Sequence, residues 1–304
     1  MTYDPIDTSA SDDSADSTVT VDDIDTTVLQ GLNLDDAPAG GEVRITEENG
    51  QTVFSAGPPP GAYELDNYTF EKSLDISSQT GGLPFGVTFG DGGSIMLVAD
   101  YNNEEIDQYT LSTPFDVSTG SYDTTLVLPS FASGPTFNDD GTKVYCTAEP
   151  DVVEFSLSSA FDIDTAGPAT SYNMIDDRPR DIHWGDNGNK LYICGRDDGL
   201  FRQYSVPTPF DLSGRSLVGS KSVTTSEPSG LFLNPDGTRA FETGNSNSAF
   251  QYDLSTPFNI TSATQTKSLN LNQGTFEGGI EFSDNGGKFY VPSRNPDEIR
   301  QFTL

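Results

Sequence analysis

From about residue 63 to Leu304 the chain alternates short apolar runs with turns rich in Gly, Asp and Asn, and the alternation repeats. The first unit reads Gly86-Val87-Thr88-Phe89-Gly90-Asp91-Gly92-Gly93-Ser94-Ile95-Met96-Leu97-Val98, two strands around a tight turn. The glycine closing that turn recurs as Gly93, Gly141, Gly188, Gly237 and Gly286, at intervals of 48, 47, 49 and 49 residues. Four positions earlier each copy carries a large apolar residue: Phe89, Phe137, Trp184, Leu233 or Phe282. The residue before the glycine is Gly, Asp or Asn, which tolerates the left-handed backbone of a tight hairpin.

Two further markers keep the same period. One predicts a third strand: Gln108-Tyr109-Thr110-Leu111, Glu154-Phe155-Ser156-Leu157, Gln203-Tyr204-Ser205-Val206, Gln251-Tyr252-Asp253-Leu254 and Gln301-Phe302-Thr303-Leu304. The other follows the first four units: Thr113-Pro114-Phe115-Asp116, Ala160-Phe161-Asp162, Thr208-Pro209-Phe210-Asp211 and Thr256-Pro257-Phe258-Asn259. A period near 48 residues built from short strands predicts propeller blades. Outer fourth strands are expected near 123–128, 170–175, 218–224 and 266–271. The fifth unit stops at Leu304 without one. Upstream of the first unit, however, Phe70-Glu71-Lys72-Ser73-Leu74-Asp75 matches Thr266-Lys267-Ser268-Leu269-Asn270. The expected fold is therefore all-β: a five-bladed β-propeller of four-stranded blades over 63–304, closed by this N-terminal strand and left with no free edge.

Residues 1–62 differ in kind. They hold thirteen acids and one base, Arg44. Short strands are expected at 17–21, 27–32 and 42–46, the last pairing with 51–55 across Asn49-Gly50. Such a piece is too small for a sizeable core. It reads as an anchoring arm whose apolar residues Val19, Val21, Ile24, Val28, Leu29, Leu32, Val43, Ile45, Val53 and Phe54 would make assembly contacts, with Gly57-Pro58-Pro59-Pro60-Gly61 as a stiff linker.

The net charge of −32, from 47 acids against 15 bases, points to a chain adapted to high salt, where self-repulsion is screened. It argues against nucleic acid as a partner. An ordinary acidic extracellular protein is the other explanation. No secretory signal is expected in the polar start Met1-Thr2-Tyr3-Asp4-Pro5, and no apolar run reaches the length of a membrane span. Synthesis in the cytoplasm without export is the expectation. Cys146 and Cys194 fall out of register with each other in the repeat, so two buried thiols are expected rather than a disulfide.

Chemistry-bearing residues are sparse. The inner strands should reach the propeller axis near Pro84-Phe85, Ser133-Gly134, Arg180-Asp181, Ser229-Gly230 and Gly278-Gly279, where only Asp181 is an acid. With His183 the sole histidine, histidine-based metal sites and nucleophilic triads lack material, and no catalytic residue, metal site or cofactor is expected. His183 itself reads as a strand residue at a blade interface. Asp139-Asp140-Gly141-Thr142 and Asn234-Pro235-Asp236-Gly237-Thr238 faintly resemble calcium loops, but turn chemistry explains them; loosely bound cations there stay open. Arg178, Arg180 and Arg196, with Asp197, Asp198, Tyr101 and Arg294, form the candidate ligand- or receptor-binding set. The competing expectation is that the arginines pair with Asp176, Asp177, Asp197 and Asp198 beside them.

The unit Gly-x-x-Phe-x-x-Asp-Gly, then Leu-Tyr-Val, then Gln-Tyr-x-Leu-Ser-Thr-Pro-Phe-Asp resembles propeller repeats of tailed-phage structural proteins and of lactonase-like propellers. Glu42-Val43-Arg44-Ile45-Thr46 and Asn49-Gly50-Gln51-Thr52-Val53-Phe54 are similar to small β modules that open phage virion proteins. With the acidity, the whole resembles a virion protein of a haloarchaeal tailed virus. That resemblance implies a non-enzymatic homo-oligomer on the virion surface, as a capsid turret, spike or decoration or a tail fibre. Residues 1–62 would hold other virion proteins, and the propeller would contact a host surface glycoprotein. A lactonase or sugar hydrolase and a cellular surface-binding module are the alternatives. The chain lacks the axial metal ligands of lactonase-like enzymes.

Overall fold

A computed structural model describes residues 43–48, 51–56, 58–174, 178–271 and 278–304. The chain divides into two compact units, Met1–Pro60 and Gly61–Leu304. In the first, β1 (Val43–Glu48) and β2 (Gln51–Ala56) form the antiparallel hairpin expected around Asn49-Gly50. Val43 stands opposite Ala56, Ile45 opposite Phe54 and Val53 opposite Thr46. The strands expected at 17–21 and 27–32, with Val19, Val21, Ile24, Val28, Leu29 and Leu32, lie outside the described residues.

The second unit is a five-bladed propeller of four-stranded antiparallel sheets. Blade I is β4 (Pro84–Gly90), β5 (Ile95–Asp100), β6 (Glu105–Leu111) and β7 (Gly120–Val127), inner to outer. Blade II is β8 (Ala132–Phe137), β9 (Lys143–Ala148), β10 (Asp151–Ser156) and β11 (Thr170–Asn173). Blade III is β12 (Pro179–Gly185), β13 (Lys190–Gly195), β14 (Leu200–Ser205) and β15 (Ser216–Ser222). Blade IV is β16 (Pro228–Leu233), β17 (Arg239–Gly244), β18 (Ser246–Leu254) and β19 (Ala263–Asn270). Blade V joins β20 (Glu281–Phe282), β21 (Lys288–Ser293) and β22 (Glu298–Thr303) to β3 (Thr69–Asp75) from the other end of the propeller. Phe302 faces Phe70, their rings 5.8 Å apart edge to face, and Arg300 faces Ser73.

Each marker phenylalanine has a mechanical role. Phe115, Phe161, Phe210 and Phe258 lie at φ of 57–59° and pack their rings on the turn glycines Gly93, Gly141, Gly188 and Gly237. A Cβ on Gly93 would sit 2.3 Å from the Phe115 ring, so glycine is required for this contact as well as for the turn. The next residue, Asp116, Asp162, Asp211 or Asn259, caps a short 3-10 turn with its side chain. In blades I, III and IV that turn hands the chain straight to the outer strand, which therefore starts at Gly120, Ser216 and Ala263, earlier than expected.

The marker also exists a fifth time, unrecognised in sequence. Gly61-Ala62-Tyr63-Glu64-Leu65 occupies the place of Thr-Pro-Phe-Asp-Val in blade V: Tyr63 has φ 57° and covers Gly286. Glutamines staple blade to blade. Gln108 accepts from Ile163 N, Gln203 from Ile260 N, Gln251 from Leu65 N and Gln301 from Val117 N, at 2.8–3.1 Å. Two of these four staples thus close the ring through residues from its ends. Cys146 and Cys194 are buried thiols, as expected.

Candidate functional site

Five inner strands converge on the axis, and each places one residue at the same level. Counting back from the turn glycines, these are Gly86, Gly134, Asp181, Gly230 and Gly279. In blade I the pair at the axis is Phe85-Gly86, one position later than Pro84-Phe85, as the count back from Gly93 requires, and the pairing register shifts beside it. The same shift follows Ala132, Pro179 and Pro228. Four glycines let the backbones close in. A Cβ on Gly86 would come within 2.1 Å of the Ser133 carbonyl oxygen, and one on Gly230 within 2.8 Å of the Gly279 backbone. The one side chain at this level, Asp181, fills the space left. Its Oδ1 accepts from Ile182 N at 3.0 Å, its Oδ2 from Leu231 N of the next blade at 2.8 Å, and Oδ1 would lie 2.1 Å from a Cβ on Gly134. Burial pushes its carboxyl up to about 8 against these two donors.

Toward the loops between strands two and three lies the expected arginine group. Arg180 is 1% exposed; its Nη1 meets Glu149 Oε1 at 2.8 Å and Ser133 Oγ at 3.3 Å. Its guanidinium lies over the adjoining rings of Phe85 and Tyr101, at 4.7 and 4.5 Å. Tyr101 donates to Glu149 at 3.2 Å and stacks on half-exposed Phe131. Arg178 reaches the same Glu149 at 3.6 Å and Asp197 at 3.4 Å. The structure therefore brings Arg178, Arg180 and Tyr101 together around Glu149, a residue of the preceding blade absent from the expected set. Arg196 turns instead to Glu227 at 2.7 Å, and Asp198 pairs with buried Arg202. Asp176 and Asp177 lie outside the described residues. Arg294 sits half-buried in the corresponding loop of blade V. The expectation of neighbouring acids holds in part: Asp197 and Asp198 are used, but the main counter-charges are Glu149 and Glu227.

On the other side of Asp181 the axis widens into a cavity of about 320 Å³ among the turns of the inner hairpins. One residue per blade faces it from equivalent positions: Thr88, Thr136, His183, Phe232 and Glu281. His183 is a strand residue against the next blade, its ring 4.7 Å from Phe232, as expected, but it also faces this cavity. Exposed Asp139 and Asp284 stand at the opening. Glu281 is pushed up to about 8, chiefly by burial and further by Asp181, so it is largely a neutral acid at neutral pH. Burial pushes His183 down to about 4, so it is a neutral imidazole there. Both touch cavity solvent, yet lie deep enough for desolvation to govern them.

These shifts set a pH dependence. Glu281 and Asp181 have folded values above their unfolded ones of about 4.3 and 3.9. The folded state thus binds more protons between about 4 and 8, and stability falls as pH rises through that window. His183 acts oppositely, below about 6.5. At molar salt, which screens surface acids, the melting temperature should fall from pH 6.5 to 8.5, and Glu281→Gln should flatten that fall. An unchanged slope in the variant would show that Glu281 is ionised in the fold.

The acidic turns use their side chains internally. Asp140 Oδ1 accepts from Thr142 N at 3.0 Å, and Asp236 Oδ1 from Thr238 N at 2.9 Å. Among the described residues no group of three or more His, Cys, Asp or Glu is placed to share a metal ion, and no helix is long and apolar enough to cross a membrane.

No protein-family model matches the chain, and no curated protein matches it. Solved structures do. A candidate 6-phosphogluconolactonase from Bacteroides uniformis matches at 13% identity and TM-score 0.47, over 86% of this chain and 73% of that one. A functionally unknown protein from Desulfotomaculum acetoxidans matches at 12% identity and TM-score 0.47, over 87% and 76%. A luciferin-regenerating enzyme matches at 10% identity and TM-score 0.49, over 77% and 96%. At these identities the likeness concerns the fold, and neither named activity passes to this chain.

Proposed function

We propose that the chain is a structural protein of a virus particle, held by its first 60 or so residues and displaying the propeller outward, where it contacts the host surface. The observation that carries the non-catalytic part of this reading is the closed axis. Where the inner strands meet, glycine backbones and the Asp181 carboxylate fill the axis, so no channel runs through the ring from one side to the other. The candidate arginines Arg178, Arg180 and Arg196 are engaged with Glu149, Asp197 and Glu227. The particle assignment draws on the repeat and hairpin resemblance and on the separate N-terminal unit. Mass spectrometry of purified particles should find the chain in stoichiometric amount, and antibodies to the propeller should label intact particles. A chain absent from particles, or one that hydrolyses lactones or glycosides with turnover, contradicts the proposal.

A high-salt habitat belongs to the same proposal. With a net charge of −32, repulsion is long-ranged at ~0.1 M salt, where the Debye length is about 10 Å, and screened at ~1 M, where it is about 3 Å. The melting temperature should therefore rise steeply with KCl, and the fold should be lost on dilution. Full stability in dilute buffer would remove the halophilic element.

A further inference from the structure

We propose that the axial cavity is a binding site for one uncharged sugar ring, a neutral hexopyranose entering between the inner hairpins. The inference stands apart from the particle assignment and is tested on the purified chain.

Four properties point to this ligand. The volume of about 320 Å³ lies at the small end of ligand pockets, ~300–1,000 Å³, which suits a single ring with its hydroxyls. The five inward positions are chemically mixed: two threonines, one histidine, one glutamate and the small exposed part of Phe232. The polar four offer donors and acceptors for hydroxyl groups. The cavity lining contains no lysine or arginine, and Asp139 and Asp284 flank the opening, so an anion meets only repulsion. Glu281 rests mostly protonated and His183 neutral, so the floor offers hydrogen bonds and little charge. A bound ammonium would have to ionise Glu281 close to Asp181, and a neutral polyol does not. Asp181 forms the closed end, so the ligand enters and leaves by one opening.

Trp184 is the only tryptophan and lines the cavity, which makes its emission an internal reporter. The full chain in molar KCl would be titrated with glucose, galactose, mannose and N-acetylglucosamine, and in parallel with glucuronate and choline. At least one neutral sugar should give a saturable change, and glucuronate and choline none. Thr136→Phe, which places a ring in the cavity from the half-buried wall of blade II, should weaken binding at least tenfold. Glu281→Gln, which cannot ionise, should abolish any decline in affinity above about pH 8. Circular dichroism and melting temperature verify that each variant folds. If Thr136→Phe does not fold, competition between the sugar and iodide quenching of Trp184 in the unaltered chain replaces it, and protection from quenching is expected. No response to any neutral sugar, a response to choline or glucuronate instead, or binding that survives a folded Thr136→Phe would overturn the proposal.

Discussion

Replacing Tyr63 with alanine should destabilise the propeller by about 3–5 kcal/mol, the range for removing a buried aromatic side chain. Tyr63 is 5% exposed, and its ring lies 5.3 Å from Phe282, 6.3 Å from Phe232 and 6.5 Å from Phe241. It therefore joins blades IV and V from a segment that precedes the whole repeat. Its hydroxyl donates to Asp284 O at 3.0 Å, and its own N–H is bound by the Tyr68 hydroxyl at 2.8 Å. Tyr63→Phe should cost only about 1 kcal/mol, because it loses one hydrogen bond and keeps the ring. Denaturant unfolding at fixed molar salt would separate the two. An alanine variant as stable as the parent would mean that residues 61–68 do not close the ring in solution.

Glu149→Ala should be similarly costly, about 3–5 kcal/mol, because it strands the Arg180 guanidinium in the interior. Arg180 has few other places to put its charge. Its remaining described contacts are Ser133 Oγ and the faces of Phe85 and Tyr101, and its Nε has no hydrogen-bond partner. Burial already lowers its affinity for a proton, with Glu149 the leading opposing influence. The double replacement Glu149→Gln with Arg180→Met should recover most of the loss, since an apolar side chain packs against the two rings without a counter-charge. If the single and double variants are equally unstable, the cost lies in packing around the Glu149-Pro150 turn and not in the charge.

The blades were legible because the repeat writes each one's turn glycine, its apolar partner four residues earlier and its glutamine, or Glu154 in blade II, in the same order. The closing strand at Phe70–Asp75 was legible as a displaced copy of an outer strand. Tyr63 was not, because Gly61-Ala62-Tyr63 replaces Thr-Pro-Phe and stands ahead of the first unit instead of after the last. The starts of the outer strands were hidden for a different reason. Tyr122, Val127, Leu217 and Val218 are exposed, so these strands lack the contrast between a wet and a dry face that marks an inner strand. The site was only half visible. Arginines close in sequence drew attention, yet the carboxylate that organises Arg178 and Arg180 comes from another blade. The axial ring lies seven residues before each turn glycine, and the expectation of Pro84-Phe85 in blade I hid Gly86 there. Thr88, Thr136, His183, Phe232 and Glu281 follow two positions on at the same spacing, but their side chains share no chemistry that marks them as a site.

The most direct measurement is a cryo-electron microscopy map of the purified particles, read for what residues 1–60 touch. Five-bladed density outside the shell or tail, with that segment against other particle proteins, is the predicted result. Particles whose maps account for every surface feature without a five-bladed ring would contradict it.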